Sequence, residues 1–182
     1  MYRYFCTYLL ILVNVIVFFL VRSGKLDVED LGLSYHMVFN RGQYHRLVTS
    51  AFTHKELMHF FFNMVSLYNI GTFVEYAFGH LYMLVIYFAS MIFGHLLALM
   101  IRHSNHDDYT MSIGASGAIC GIMGTYFLVV MYFYGFSGIY DLARPIINLI
   151  LISALPGVDG TSHFSCMAVG MAVSYIILKF LW

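Results

Sequence analysis

Long uninterrupted runs of apolar residues constrain this chain more than any other feature of its sequence. Residues 4–21 read YFCTYLLILVNVIVFFLV, and residues 81–101, 115–134 and 161–182 are similarly apolar. A run of about 20 such residues is long enough to cross the hydrocarbon core of a bilayer as a helix. Because a chain in lipid must satisfy its own backbone hydrogen bonds, these runs predict transmembrane α-helices.

Two weaker segments complete the predicted set of helices. Residues 57–78 are interrupted by polar side chains, and the apolar stretch from Pro145 to Leu155 spans only if it is extended back over 139–144. We therefore predict an all-α membrane protein with six transmembrane helices in a single domain, 1–182, with a structured first loop at 23–56. The helices are predicted at about 4–21, 57–78, 81–101, 115–134, 139–155 and 161–182.

The composition excludes several other classes of protein. Only 10% of the 182 residues are charged, against about 25% in an ordinary soluble domain. The net charge is zero and no basic run is present, so we expect no nucleic-acid partner. Cys6, Cys120 and Cys166 fall in predicted helices without paired spacing, which indicates neither disulfides nor a zinc site. The first span lacks a small-residue cleavage site and is interpreted as retained.

The order of the helices brings four polar residues to one membrane face. Helices two, four and six cross in the same direction, and His59, Asn63, Ser116 and His163 all lie near their starts. His59 and Asn63 are four residues apart and share one helix face. Glu75 lies 16 residues beyond His59, about 24 Å along the axis, and is assigned to the opposite membrane face. Polar groups in a bilayer are costly, so a convergence of four indicates a common role.

The chemistry that such a group could perform is acyl transfer. A serine hydroxyl becomes nucleophilic when a base such as histidine takes its proton. Ser116 stands between glycines in MSIGASGAICG, residues 111–121, at a predicted helix start. Free N–H groups there could bind an oxyanion. The acids available on this face are Asp159 and those of the first loop, which favours a Ser–His dyad over a triad. Taken singly, such a serine, histidine or asparagine is more often a packing or hydrogen-bonding residue.

Four motifs in order make the chain similar to the rhomboid intramembrane serine proteases from about residue 4 to its end. HFFFN, residues 59–63, matches the family's His-x-x-x-Asn on the second helix. GTFVEYAFG, residues 71–79, matches Gly-x-x-x-Glu-x-x-x-Gly. GASGAICG, residues 114–121, contains the Gly-x-Ser-Gly of the nucleophile, and PGVDGTSH, residues 156–163, resembles the segment that leads to the catalytic histidine.

The resemblance implies a serine endopeptidase that cuts the transmembrane segments of single-span membrane proteins. It implies Ser116 as nucleophile and His163 as general base and acid. His59, Asn63 and the backbone around Gly114 would form the oxyanion site. The supporting residues are Gly117, Gly121, Arg46, Glu75 and Cys120.

The family also supplies a location and a route for the substrate. No metal or other cofactor is expected, and the partners are the substrate and the lipid bilayer. The resemblance implies a multi-pass protein of a prokaryotic cell membrane with its active site toward the extracytoplasmic face. The fifth helix with the 156–160 loop would form the gate for the substrate.

Three positions depart from the family pattern. The first loop has His45-Arg46 where the family has Trp-Arg, and Cys120 replaces an aromatic residue that packs against the catalytic histidine. The glycines expected three and seven residues after that histidine are here Cys166 and Gly170. The changes at Cys120 and Cys166 predict that His163 is held more loosely, unless a ring such as Phe164 or Tyr126 fills the space.

Three alternative functions were weighed against the protease. A catalytically inactive relative that binds membrane proteins typically lacks the serine or the histidine, and this chain keeps both. A channel lined by some of the nine histidines gives no reason for a serine between glycines. A zinc-dependent membrane protease would need His-Glu-x-x-His, and that string does not occur.

Overall fold

The computed structural model describes residues 3–138, 140 and 158–181, and these residues are almost entirely helical. No strand occurs among them; the only strand-like pairing there is an isolated bridge between Leu33 and Ser112. The all-α prediction is therefore confirmed for the described part of the chain. The α-helices are α1 (Phe5–Arg22), α2 (Val28–Leu31), α3 (Arg46–Thr49), α4 (Leu57–Ser104), α5 (Ser116–Tyr134) and α6 (Gly160–Leu181).

Four of these helices are long and apolar enough to cross a membrane, namely α1, α4, α5 with the 3₁₀ turn Gly135–Gly138, and α6. The fifth predicted helix, 139–155, lies outside the described residues apart from Tyr140. The count of six spans therefore stays a prediction.

Helix α4 consists of two arms that fold back on each other at Gly79. Gly79 has φ 81° and ψ 171°, a conformation that glycine adopts readily because it has no Cβ. In a straight helix His59 and His95 would be about 54 Å apart. Instead, the two rings lie within 2.8 Å of the positions that a Cβ would take on two glycines only three residues apart, Gly114 just before α5 and Gly117 in its first turn. The chain therefore reverses at Gly79 into a first arm, 57–78, and a second arm, 80–104.

Helices α5 and α6 pack against the second arm through glycines. A side chain added at Gly121 would overlap Ser90 of the second arm, and one added at Gly170 would overlap the backbone of Gly121. A Cβ on Gly94 would lie 2.5 Å from the Cα of Cys166. Because helix association in lipid depends on close packing, these small residues bring the three backbones together and set the spacing of their starts.

Arg46 anchors the first loop through hydrogen bonds to its backbone and to a neighbouring side chain. The buried guanidinium donates from Nη1 to the carbonyl oxygens of Glu29 and Gly32, both at 2.7 Å, and from Nε to Gln43 at 2.6 Å. The loop also contains a π-helical turn, His36–Asn40, and a 3₁₀ turn, Ser50–Phe52. Its bridge at Leu33 holds it against the segment that precedes α5.

Glu75 fastens α1 to the far end of the first arm. Its buried carboxylate accepts hydrogen bonds from the backbone N–H groups of Cys6 and Thr7, both at 2.8 Å, and from the Thr7 hydroxyl at 2.6 Å. His80, just beyond the reversal, contacts the same carboxylate at 2.5 Å. These hydrogen bonds place a negative charge at the start of α1, where it interacts favourably with the positive end of the helix dipole.

Candidate active site

Ser116 and His163 meet at the starts of α5 and α6. Ser116 is the first residue of α5, and His163 lies in the first turn of α6 with its backbone N–H donating to the Asp159 carbonyl at 3.1 Å. The Ser116 Oγ and the His163 Nε2 are 2.8 Å apart, which is a normal hydrogen-bond distance. His163 is buried and Ser116 is half-buried. A serine hydroxyl and an imidazole in this relation are the minimum needed for nucleophilic catalysis.

Gly114 allows the chain to turn sharply just before the serine. Its φ is +106°, which a residue with a side chain rarely adopts. An added Cβ would also lie 2.8 Å from Nε2 of His59. The Gly114 N–H donates to the Ser50 carbonyl at 2.8 Å, so the first loop fixes this turn.

His59 and Asn63 converge on the same turn, although neither side chain is hydrogen-bonded to Ser116 within the described part of the chain. The ring of His59 lies against Gly114. The Asn63 Nδ2 donates to the His59 carbonyl at 3.0 Å and contacts the Nε2 of His54 at 3.2 Å. Both N–H bonds of the Asn63 amide are thus engaged in the free protein.

His54 is a site residue that the sequence did not single out. It is fully buried, and its Nε2 lies 3.2 Å from both the Ala115 N–H and the Asn63 amide. Burial, reinforced by the neighbouring charge of His59, lowers the pKa of His54 to about 4, although the Phe52 carbonyl opposes this shift. The ring is therefore neutral near pH 7, which leaves a lone pair on Nε2 to accept these donors.

The remaining hydrogen-bond donors suggest where an oxyanion would bind. The N–H groups of Gly114 and Ala115 already have the partners described above. The first N–H groups of α5, beginning at Ser116, have no acceptor within their own helix, and no side chain caps this end. The positive end of the α5 dipole adds to the attraction for an anion. The start of α5 is therefore an electropositive backbone position beside the Ser116 hydroxyl.

A small cavity opens beside the serine. Its volume of about 10 Å³ is close to the minimum for one water molecule. Hydroxyl groups, an imidazole and a carboxylate form part of its lining, so water is a suitable occupant. The lining residues are Ser50, His95, Ser112, Ile113, Gly114, Ser116, Gly117, Asp159 and Ser162.

Asp159 lies at the rim of this cavity, in an ion pair with Arg102 at the end of the second arm. It also accepts from the Ser112 hydroxyl at 2.5 Å and from the Ser162 N–H at 3.0 Å. Burial alone would raise the pKa of Asp159, but the Arg102 guanidinium and the hydrogen bonds from Ser112 and Ser162 outweigh it and hold the pKa below its usual value. The carboxylate is therefore ionised at neutral pH.

The supporting positions on α5 are close-packed. A Cβ on Gly117 would lie 2.8 Å from Nε2 of His95 and 3.2 Å from Sγ of Cys166. The thiol of Cys166, completely buried, occupies the space that Gly94 and Gly117 leave open. The missing glycine on α6 is thus matched by glycines on the helices that it faces.

Cys120 is buried with Met123, Phe127 and Val130, and Met167 packs on this cluster. The two rings considered as replacements for the family's aromatic residue are Phe164 and Tyr126. Phe164 is 44% exposed, and the ring of Tyr126 meets Phe73 at 5.0 Å.

The described residues also contain a cluster of metal-ligating side chains away from the serine. The one group there with suitable spacing is Cys6, Glu75 and His80, at the far end of the first arm from the Ser116 site. The Ser116 site itself offers a hydroxyl, imidazoles, backbone N–H groups and space for water. That combination suits hydrolytic acyl transfer.

The chain matches the family model described as Rhomboid domain over residues 41–180. It is 31% identical over 166 residues to Rhomboid protease GluP of Bacillus subtilis (strain 168), covering 86% of this chain and 32% of that protein. It is 29% identical over 167 residues to RHOMBOID-like protein 4 of Arabidopsis thaliana, covering 87% and 41%. Inactive RHOMBOID-like protein 8 of Arabidopsis thaliana is 34% identical over 93 residues, covering 51% and 25%. The chain thus spans about a third of the length of the first of these relatives and about two fifths of the second.

Proposed function

This chain belongs to the rhomboid family of integral membrane proteins, and from that premise we propose that it is an intramembrane serine endopeptidase. Its substrates are the transmembrane segments of single-span membrane proteins. The observation that carries the proposal is the 2.8 Å contact between the Ser116 Oγ and the His163 Nε2. A relative that had lost catalysis would have no reason to keep a hydroxyl and a base in this relation.

In the first half-reaction Ser116 attacks the scissile carbonyl. The Oγ forms a bond to the carbonyl carbon while its proton passes to Nε2 of His163. The carbonyl oxygen becomes an oxyanion beside the start of α5. When the intermediate collapses, the C–N bond breaks and the imidazolium gives its proton to the leaving amine. The product is an acyl-enzyme ester on Ser116.

In the second half-reaction a water molecule releases the acyl group. The cavity beside Ser116 provides the position for that water. His163 takes a proton from the water as it attacks the ester carbonyl, and then returns a proton to the Ser116 oxygen as the ester bond breaks. The products are a peptide with a new carboxyl terminus and the free serine.

The oxyanion is stabilised by the N–H groups at the start of α5, with His59 and Asn63 as additional donors. His59 already lies beside Gly114. Asn63 reaches the oxyanion by releasing either the His54 ring or the His59 carbonyl. These interactions form only when the charge develops, which is the condition for accelerating the reaction.

We further propose that the site opens toward the extracytoplasmic face of a prokaryotic cell membrane. The starts of α4, α5 and α6 lie together at one end of the bundle, so a substrate reaches the dyad from that membrane face. The gate is expected from the fifth helix and the 156–160 loop, and most of it lies outside the described residues. Only Tyr140 and residues 158–160 of this segment are described. Ser116 and His163 themselves lie within the described part of the chain.

The test is labelling of the detergent-purified protein with a fluorescent fluorophosphonate. We expect one labelled serine, identified as Ser116 by mass spectrometry, and loss of the label in Ser116→Ala and His163→Ala. Ser50→Ala is the matched control, because Ser50 lines the same cavity but its buried hydroxyl has no hydrogen-bond partner among the described residues. Labelling that survives in Ser116→Ala would refute the assignment of the nucleophile.

A further inference from the structure

One carboxylate connects the segments that carry the two catalytic groups. Asp159 lies just before α6 and binds the start of that helix through the N–H and the hydroxyl of Ser162. It also accepts from the hydroxyl of Ser112, which precedes Ser116 by four residues. The same carboxylate therefore holds the chain before the nucleophile and the helix that carries the base.

Arg102 holds this carboxylate from a third element, the end of the second arm. Its Nη2 pairs with the Oδ1 of Asp159, while its Nη1 donates to the Ser112 hydroxyl at 2.8 Å and to the Thr110 carbonyl at 3.2 Å. The side chains of Arg102 and Asp159 are only 7% and 16% exposed. An ion pair shielded from solvent is geometrically restrictive, because each charge depends on the other and on its hydrogen bonds.

Only a few backbone residues separate this network from each catalytic group. On one side, Ser112 is clamped between the Asp159 carboxylate and the Leu33 bridge, two residues before the left-handed turn at Gly114. On the other side, the Asp159 carbonyl accepts the backbone N–H of His163 at 3.1 Å. A shift of Asp159 would therefore move the serine and the histidine relative to each other.

We propose that Asp159, in its ion pair with Arg102, is a positioning residue that sets the Ser116–His163 geometry and places a fixed negative charge beside His163. This role rests on the proposed protease function. Asp159 does not act on the substrate; it acts through the two residues that do. The charge favours the imidazolium that forms when His163 takes the serine proton.

Other charged and titratable groups face the same region and enter the electrostatic comparison. His59 from the first arm acts on His163, and His95 from the second arm interacts with Asp159, Arg102 and His163. Asp159 supplies the negative charge that acts on His95 and on His163. Replacing it by asparagine removes that charge and retains the shape of the side chain.

The experiment compares cleavage of a single-span model substrate by the wild type, Asp159→Asn and Asp108→Asn across pH. Asp108 is the matched control, because it also pairs with a basic side chain, His103 at 2.8 Å, without a recorded contact to Ser112 or α6. Each protein is first shown to be folded by circular dichroism. We expect Asp159→Asn to lower kcat by about 10²-fold, the effect of an ångström-scale misplacement, with KM changed less than kcat.

The pH profile separates positioning from a purely structural role. Without the negative charge beside His163, protonation of its imidazole is disfavoured, so the acidic limb of the kcat profile should shift to lower pH in Asp159→Asn. A purely structural defect would lower the rate at every pH without moving that limb. Asp108→Asn should leave both the limb and kcat unchanged.

The remaining outcomes are distinct. An active wild type whose Asp159→Asn variant keeps full kcat and the same acidic limb would overturn the positioning role and leave the protease function intact. A wild type that neither cleaves nor reacts with a fluorophosphonate would overturn both. If Asp159→Asn fails to fold, Arg102→Lys provides the test. Lysine keeps the positive charge but cannot contact Asp159 and Ser112 with two separate nitrogens as the guanidinium does. This variant should lower kcat without unfolding the protein.

Discussion

At the scale of single residues, His54 connects the nucleophile's turn to the first arm of α4 through uncharged hydrogen bonds. Its neutral ring accepts from Ala115 and contacts Asn63, both at 3.2 Å. Protonation would convert Nε2 from an acceptor into a donor and break both interactions. The turn before Ser116 should therefore depend on pH.

We predict that the protein loses stability as the pH falls from 6.5 to about 4 and that His54 accounts for part of this loss. In that window an unfolded chain protonates His54 and the folded chain does not, because the folded pKa is depressed. The contribution of this one group is therefore fully present above pH 6.5 and amounts to about 3 kcal/mol. The measurement is the unfolding midpoint in detergent as a function of pH.

His54→Gln is the informative variant, since a glutamine oxygen can replace Nε2 as acceptor without titrating. We expect it to flatten the pH dependence of stability and to retain most of the activity, whereas His54→Leu should lose activity. An unchanged pH slope in His54→Gln would show that other histidines cause the effect.

The sequence predicts Ser116, His163, His59 and Asn63 as candidate site residues, because each belongs to a spaced motif or to a predicted helix start. It does not identify His54 or the Ser50 carbonyl. Both lie in the first loop, whose path depends on contacts such as Arg46 with Gly32 that are distant in sequence. A backbone carbonyl has no sequence signature at all. For these groups only the folded loop reveals the partner.

At the scale of helices, glycines determine how closely α5 and α6 approach each other. Gly170 lies so close to the Gly121 backbone that an added Cβ would overlap it. The sequence shows that both helices carry glycines, and the fold brings Gly121 and Gly170 together. The sequence does not reveal that Gly94 on the second arm admits Cys166, because that pairing depends on which faces of the two helices meet.

We predict that Gly170→Val destabilises the protein by about 1–3 kcal/mol, the usual cost of overpacking a well-packed core. It should also lower kcat, because α6 would move and carry His163 with it. Ala168→Val is the matched control, since Ala168 lies on the exposed side of the same helix. The measurement is the thermal unfolding midpoint of each variant in detergent together with kcat.

Equal midpoints for Gly170→Val and Ala168→Val would contradict the close approach of α5 and α6.

The reversal at Gly79 belongs to the same scale. The sequence places two predicted spans at 57–78 and 81–101, and the glycine between them allows the short connection. Its positive φ is required because the two arms follow each other with almost no loop.

At the scale of the whole molecule, the apolar exterior and the polar site agree with a protein embedded in lipid. Large side chains of α1 are half exposed, among them Leu12 at 53%, Ile16 at 50% and Phe19 at 64%. Such a surface would be a liability in water but matches hydrocarbon. The polar residues, in contrast, collect where α4, α5 and α6 begin. The apolar runs of the sequence predict the lipid-facing exterior. The common direction of the second, fourth and sixth predicted helices predicts where the polar residues collect.

The central claim is that Ser116 cleaves transmembrane segments, and the most direct measurement is proteolysis in reconstituted liposomes. A single-span model substrate is incorporated with the wild type, Ser116→Ala or Ser50→Ala, and the products are identified by mass spectrometry. We predict cleavage within or beside the substrate's membrane segment by the wild type and by Ser50→Ala, and an intact substrate with Ser116→Ala. Cleavage by Ser116→Ala at a comparable rate, or none by the wild type, would contradict the claim.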